Sequence, residues 1–469
     1  MHAPGQSARR FAPPAITWNH WFRAGHSYWA LQMVLGGGAA LVYLAAAGPG
    51  LGSLVLLTAV AMLGVAVIAP VAGLTSLVLI MPVREPEIFN PAGINAVLVG
   101  ATAFGCILRV SNDRLPLRIN PGIVLLIGYV VYSALSVPPF ISAHPAAWAP
   151  SAGLEFIRMT TGVGLFIVAS YIFRTVPNGP FILAALVGAG LATAVSTGAF
   201  LNVGPIDSLF DAVLTPLGGD RAVGGFSNPN YLGVFAAQSF ILAAASWWQA
   251  KGRLKLLLLL IMVAIVSALM FSFSRSAYLA AGIGVLIMIA TRNWRLAIVL
   301  AIVLALVAAI VYPLFLEARL GTDTLDPKVL AERTQSENWR RIAIEAGFSI
   351  FALNPIFGVG FGVFHFVSPA FVGASPATYS HNQYVNILAE QGVVGIAMVA
   401  GIVVMLLLRL WRSTHPLRGA AIAMICAYLI QSTFINSTTS FQISGLTWLT
   451  MAAALSAADR VPALRSKEA

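Results

Sequence analysis

Charge is scarce in this chain. Only 9% of its 469 residues are Asp, Glu, Lys or Arg, against 59% hydrophobic. Soluble domains carry about 25% charged residues, so a water-soluble globular protein is excluded. Cysteine is nearly absent as well. The two present, Cys106 and Cys426, both fall inside apolar runs, which excludes a disulfide framework and a cysteine zinc site. Segments of about ten residues with alternating polarity are missing, and with them the signature of a membrane barrel. No basic cluster interleaved with aromatics lies on a polar segment, so the formal charge of +11 is not a nucleic-acid footprint. The sequence shows no internal repeat and no low-complexity segment.

What the chain does contain is a succession of nearly uncharged apolar runs of about 17–25 residues, the length that carries a helix across a bilayer. Candidate spans fall at 29–47, 51–69, 70–83, 93–109, 121–138, 158–175, 180–202, 229–248, 253–272, 275–291, 294–313, 386–411, 418–436 and 443–458. Pro70 splits the 51–83 region into two spans, or one span and a re-entrant piece. The expected fold is therefore all-α: a polytopic helical membrane protein with about 12–14 transmembrane helices. The run from Tyr28 follows a polar arm with Arg9, Arg10 and Arg23 and meets no small-residue cleavage site. It reads as a retained span rather than a signal peptide.

With the N-terminus in the cytoplasm, about two thirds of the 27 Lys and Arg fall on cytoplasmic segments, as the positive-inside rule requires. Of the 16 acids, only Asp113, Asp459 and Glu468 fall there. Two sizeable segments then face outward, 203–228 and 314–385. The chain divides into N-terminal spans (1–202), spans with a first outer loop (203–313), a long outer loop (314–385) and C-terminal spans (386–469). Within the long loop, Leu330–Leu353 has apolar residues at helical spacing (Ile342, Ile344, Phe348, Phe351). It predicts an amphipathic helix lying on the membrane or capping the bundle, ended by Asn354-Pro355.

Three motifs carry chemistry, and the topology brings them to the outer side. The first is Gly219 to Asn230. Here Arg221 precedes a span, Gly218, Gly219, Gly224 and Gly225 allow close backbone approach, and Ser227, Asn228 and Asn230 offer donors at a helix start. An ordinary loop before a capped helix with Pro229 at its first position is the plainer reading. The second is Ser272 to Ser276, where Arg275, flanked by Ser274, sits between two apolar runs with no acid nearby in sequence. A guanidinium at that depth snorkels to the interface or faces a polar cavity or an anion. The third is Tyr379 to Gly392. His381 opens a helix there, with Ser380 as the expected N-cap and Asn382 beside it. An imidazole titrating at about 6.5 suits removal of a proton from a hydroxyl, and a hydrogen-bonded interfacial histidine is the structural alternative. Glu390, further along, reads as a buried carboxylate that orients a neighbour or pairs with an arginine.

Arg340 and Arg341 on the loop helix suit closing over a phosphate or a solvated face. Arg158 reads as an anchor at a span start, and His365 as interfacial packing. Asp207 and Asp211 stand one turn apart without further ligands, so arginine recognition of phosphate is the better reading than a metal.

As an ordered set, these motifs resemble the bacterial O-antigen ligase and polymerase superfamily. The set is Arg221 with Gly225 to Asn230; Ser274-Arg275-Ser276; Trp339-Arg340 with Pro355 and Gly358-Val-Gly360; and His381-Asn382 with Glu390 and Gly392 to Gly395. The likeness spans roughly 218–395. It implies a GT-C-like, metal-independent, inverting glycosyltransferase of the bacterial inner membrane, needing no cofactor, with its site facing the periplasm. The donor would be a glycan on undecaprenyl diphosphate. The acceptor would be lipid A–core for a ligase, another lipid-linked repeat unit for a polymerase, or protein in a third branch. By the same resemblance Arg221 and Arg275 hold the diphosphate and His381 is the base. A transporter or flippase of lipid-linked glycans is the rival from another class, expected to carry polar groups at mid-membrane on broken helices in two related halves. A non-catalytic assembly subunit is a third.

Overall fold

The computed structural model describes residues 62–81, 93–113, 121–136, 151–174, 176–201, 221–223, 226, 228–320, 327–372, 380–435 and 441–456. The expected span at 29–47, most of that at 51–69, and Asp207, Asp211, Gly218, Gly219, Gly224, Gly225 and Ser227 lie outside them.

Among the described residues the chain is all-helical. In order the helices are α1 (Pro70–Ile80), α2 (Gly93–Asp113), α3 (Pro121–Ser136), α4 (Ser151–Ile172), α5 (Gly179–Phe200), α6 (Pro229–Gln249), α7 (Arg253–Phe271) and α8 (Arg275–Ala290). They continue with α9 (Trp294–Leu320), α10 (Pro327–Leu353), the short α11 (Phe364–Val367) and α12 (Pro369–Val372), α13 (Gln383–Arg412), α14 (Arg418–Gln431) and α15 (Phe441–Ser456). Among the described residues, five helices are long and apolar enough to cross a membrane, and seven more contain a shorter apolar stretch. This is a polytopic helical membrane protein, the class expected from composition. Pro70 does divide its region: it stands at the start of α1, after a separate helical stretch over 62–68.

Helix α6 is the centre, with 72% of its apolar window buried, whereas α7 and α13 bury only 28% and 22%. Leu256, Leu260 and Val263 on α7 are exposed, as a lipid-facing surface requires. Small residues let the helices close. A Cβ on Gly233 of α6 would lie 2.8 Å from Ser272 Oγ and 2.9 Å from the Ala277 Cβ; one on Gly284 of α8 would lie 2.3 Å from Ile241. Helices α6 and α8 therefore run parallel. Their far ends gather Lys255 stacked 4.2 Å from the Trp247 ring and Arg292 4.9 Å from Trp248, with Lys251, Arg253 and Arg295 beside them. That is the tryptophan and cation dressing of a membrane interface.

Helix α13 is broken at Gly392 (φ +63°, ψ −162°), and the turn that follows α10 fills the break. The freed carbonyls of Ala389 and Glu390 accept the amides of Val359 (3.0 Å) and Gly360 (2.8 Å), while the amides of Val393 and Val394 reach Pro355 O (2.9 Å) and Ile356 O (3.2 Å). Tyr132 of α3 donates to Gln391 O at 2.7 Å. In lipid each of these backbone groups must find a protein partner, and each does. Close approach is possible only because Gly358 and Gly392 lack side chains. A Cβ on either would sit 2.2–2.3 Å from the opposing backbone.

Helix α10 exists and caps α13, but it buries a different face from the one expected. Ala343, Ala346, Gly347 and Ile350 are buried, whereas Phe348 stays exposed. The reason is proximity: a Cβ on Gly347 would come within 2.3 Å of Val385. Only small residues fit that contact, and Phe348 turns outward.

Candidate active site

The first motif is tied directly to the second. The Arg221 side chain donates from Nε to Ser272 O (2.9 Å) and from Nη2 to Asn230 Oδ1 (2.9 Å), and the Ala222 amide reaches Phe271 O at 2.9 Å. Asn228 is the N-cap of α6, accepting the Asn230 amide at 2.8 Å, with Pro229 first in the helix, as the sequence indicates. Asn230 thus orients Arg221. Ser274 takes the N-cap position of α8, yet no side chain caps that helix. Its hydroxyl instead lies 3.3 Å from Ser276 Oγ. Arg275, first residue of α8, is exposed. Two guanidinium groups and the positive end of a helix dipole thereby occupy one turn-rich corner.

His381 reaches the same end of the bundle through α14. A Cβ on Gly419 would lie 2.5 Å from Thr291 Oγ1, and one on Gly284 would lie 3.6 Å from Ala423 O, so α14 runs antiparallel to α8. The Gln431 end of α14 therefore sits beside the Arg275 end of α8. There the Gln383 amide donates to Ser432 O at 2.8 Å, and Tyr384 Oη to Leu429 O at 2.7 Å. These bonds fasten the His381 turn over that end. His381 has φ +52° and Phe273, in the α7–α8 turn, has φ +46°. They are the non-glycine residues with positive φ among those described. Backbone strain of this kind costs about 1–3 kcal/mol and collects at working sites.

His381 keeps part of its surface in solvent. Partial burial, and then the charge of Arg340, hold its pKa below the usual histidine value. A histidine so placed is neutral at pH 7 and ready to accept a proton. Arg340 is thus brought beside His381. Arg341 points away: it is exposed and pairs with Glu345 at 3.7 Å, one turn along. The N-cap of α13 is Asn382 rather than Ser380. Asn382 Oδ1 accepts the amides of Tyr384 (3.0 Å) and Val385 (3.2 Å). Ser380 Oγ accepts the Asn382 amide at 3.1 Å and bonds the buried Asn386 side chain, which pulls the strained turn tight. Glu390 is buried as expected, but its carboxylate holds the glycine turn rather than an arginine. It accepts the Phe364 amide at 2.9 Å and the Gly362 amide.

Two features escaped sequence reasoning. Arg158 does not start its helix: α4 begins at Ser151, so Arg158 lies two turns, about 10 Å, inside it. A cation that deep in an apolar run was the available signal. Below the His381 turn, α3, α4, α13, α14 and α15 line a partly open apolar cavity of about 120 Å³. Gln383 and Ser432 lie on its wall, with Met159, Tyr428, Ser444 and Trp448. Arg221, Arg275 and His381 do not line it.

Residues 260–400, which hold Arg275, Arg340 and His381, match the O-antigen ligase family model. A search of curated proteins gave no match.

Proposed function

From the membership of the O-antigen ligase and polymerase superfamily that this match supports, we propose that the protein is a membrane glycosyltransferase acting on lipid-linked glycans. The donor is a glycan on undecaprenyl diphosphate and the acceptor a hydroxyl, on lipid A–core for a ligase or on a second lipid-linked repeat for a polymerase. His381 takes the acceptor proton, and the acceptor oxygen attacks the anomeric carbon from the face opposite the diphosphate. The carbon–oxygen bond to the diphosphate breaks, its electron pair leaves on the phosphate oxygen, and the sugar inverts. Arg221 and Arg275 stabilise the charge that develops there, which is the protein's main contribution and needs no metal. Arg340 adds to the burial that keeps His381 neutral and contributes further positive potential. The site faces the periplasm because the cationic, tryptophan-rich end of the bundle lies opposite.

The observation that carries this reading is the joining of the Arg221 loop to the Ser272–Arg275 turn at the end of the bundle over which the His381 turn is fastened. The rival reading, a transporter, draws on broken helices that expose backbone at mid-membrane. Helix α13 is broken, but groups freed at the break are taken by residues 355–360 and by Tyr132.

Product analysis tests the proposal. Purified protein given undecaprenyl-diphosphate glycan and acceptor should yield a new glycosidic bond of inverted configuration by NMR, with release of undecaprenyl diphosphate. Retained configuration, or translocation without bond formation, would sink it. In a strain lacking the protein, free lipid-linked polymer accumulates for a ligase and single repeat units for a polymerase.

A further inference from the structure

The end of the bundle opposite Arg275 and His381 carries positive charge that its own helices do not balance. The sequence has no Asp or Glu between Arg221 and Leu316, nor between Gln391 and Ala458, so α6, α7, α8, α14 and α15 offer no carboxylate. Two cations at that end are pressed together. A Cβ on Gly419 would lie 2.5 Å from Thr291 Oγ1, which sets Arg418, at the start of α14, beside Arg292, just past the end of α8. Partial burial, and then the charge of Arg418, work against the charged form of Arg292. Both side chains are nonetheless held in place. Arg418 donates from Nη1 to Ser413 O at 3.0 Å, and Arg292 lies 4.9 Å from the Trp248 ring centre. A guanidinium keeps its charge throughout the physiological range, so an anion between the two relieves their repulsion.

The surroundings indicate which anion. Trp248 and Trp294 are exposed, and α9, packed on α8, leaves Val299, Ile302 and Leu306 exposed beyond them. Exposed tryptophans at the ends of apolar helices lie at headgroup level, with hydrocarbon further in. A water-soluble anion would engage the charges and leave the rings and the apolar face bare, whereas a phospholipid engages all three. The ammonium of a zwitterionic headgroup would meet only further cations, Lys255 and Arg295 among them. We propose that Arg292 and Arg418 hold the phosphodiester of an anionic phospholipid from the leaflet at this end, with its headgroup against Trp248 and its chains along α9. The arginine fork matches phosphate oxygens, and basic pockets between helix ends recognise anionic headgroups. This site is independent of the transferase reading, since neither donor nor acceptor enters it.

Native mass spectrometry of the full-length protein in detergent, titrated with phosphatidylglycerol or phosphatidylcholine, tests the assignment. Wild type should take its first phosphatidylglycerol at least about tenfold more tightly than phosphatidylcholine. The double variant Arg292→Gln/Arg418→Gln should lose most of that preference. Arg292→Gln alone, which leaves the bond from Arg418 to Ser413 O in place, should lose part of it, so the test survives a double variant that fails to fold. Lys251→Gln/Arg253→Gln removes the same charge from the same end and should keep the preference. Equal affinity for the two lipids in wild type, or an unaltered preference in either arginine variant, would overturn the proposal. An equal loss in the Lys251/Arg253 variant would overturn it too, because it would mean diffuse attraction rather than a site. Displacement of the lipid by an equal concentration of free glycerol phosphate would assign the pair to a soluble anion instead.

Discussion

At the scale of single residues, the account turns on the protonation of one imidazole and the orientation of one guanidinium. His381 must be neutral to act as a base. Its pKa is held below the usual value, so activity should be on its plateau at pH 7 and fall as pH drops through that lowered pKa. Removing the Arg340 charge raises the pKa. In Arg340→Ala the acid limb of the kcat profile should therefore shift to higher pH, and an unshifted limb would separate Arg340 from His381. Arg221 is aimed by Asn230 and the Ser272 carbonyl. Arg221→Ala should weaken donor affinity by about 10–100-fold, the worth of charged hydrogen bonds, with acceptor KM unchanged. Asn230→Ala should weaken it less, because Ser272 O still holds the Nε.

At the scale of elements, the stitched break in α13 is the feature that positions the site, since it fixes the 383–391 segment beneath the His381 turn. Gly392→Ala should lower the unfolding midpoint in detergent. The backbone alone costs about 1–3 kcal/mol, and the added Cβ would meet Ile356 O at 2.3 Å. A midpoint equal to wild type would mean that the two segments separate freely. Elements are also where the sequence was least informative. Pro229 and Asn228 announced α6 correctly, because capping is local chemistry. The Gly358-Val-Gly360 turn was visible, but its insertion into a helix more than thirty residues away was not, since nothing in either segment encodes the partner. The same limit hid the buried face of α10, where a neighbouring valine selects alanine and glycine over phenylalanine. It also hid the N-cap at Asn382, where Ser380 is engaged by Asn386 instead.

For the whole molecule, composition sufficed for the class, because lipid admits only helices or closed barrels. Charge asymmetry predicts an orientation, and two of the cations it counts, Lys255 and Arg292, stack on tryptophans at the far end of α6 and α8. That orientation has its own check. With Cys106 and Cys426 replaced by alanine, a cysteine at exposed Thr433 should react with a membrane-impermeant thiol reagent from the periplasmic side, and one at exposed Trp294 should not. The reverse pattern would turn the site toward the cytoplasm, away from a periplasmic donor. The central claim is that Arg275 and His381 serve one reaction, and transfer by purified protein in nanodiscs measures it most directly. His381→Ala should lose about 10²–10⁴ in kcat, and Arg275→Ala should lose transfer as well. The double variant should be little worse than the poorer single one, as expected of groups acting in one transition state. Wild-type turnover by either single variant, or losses that simply multiply, would contradict the account.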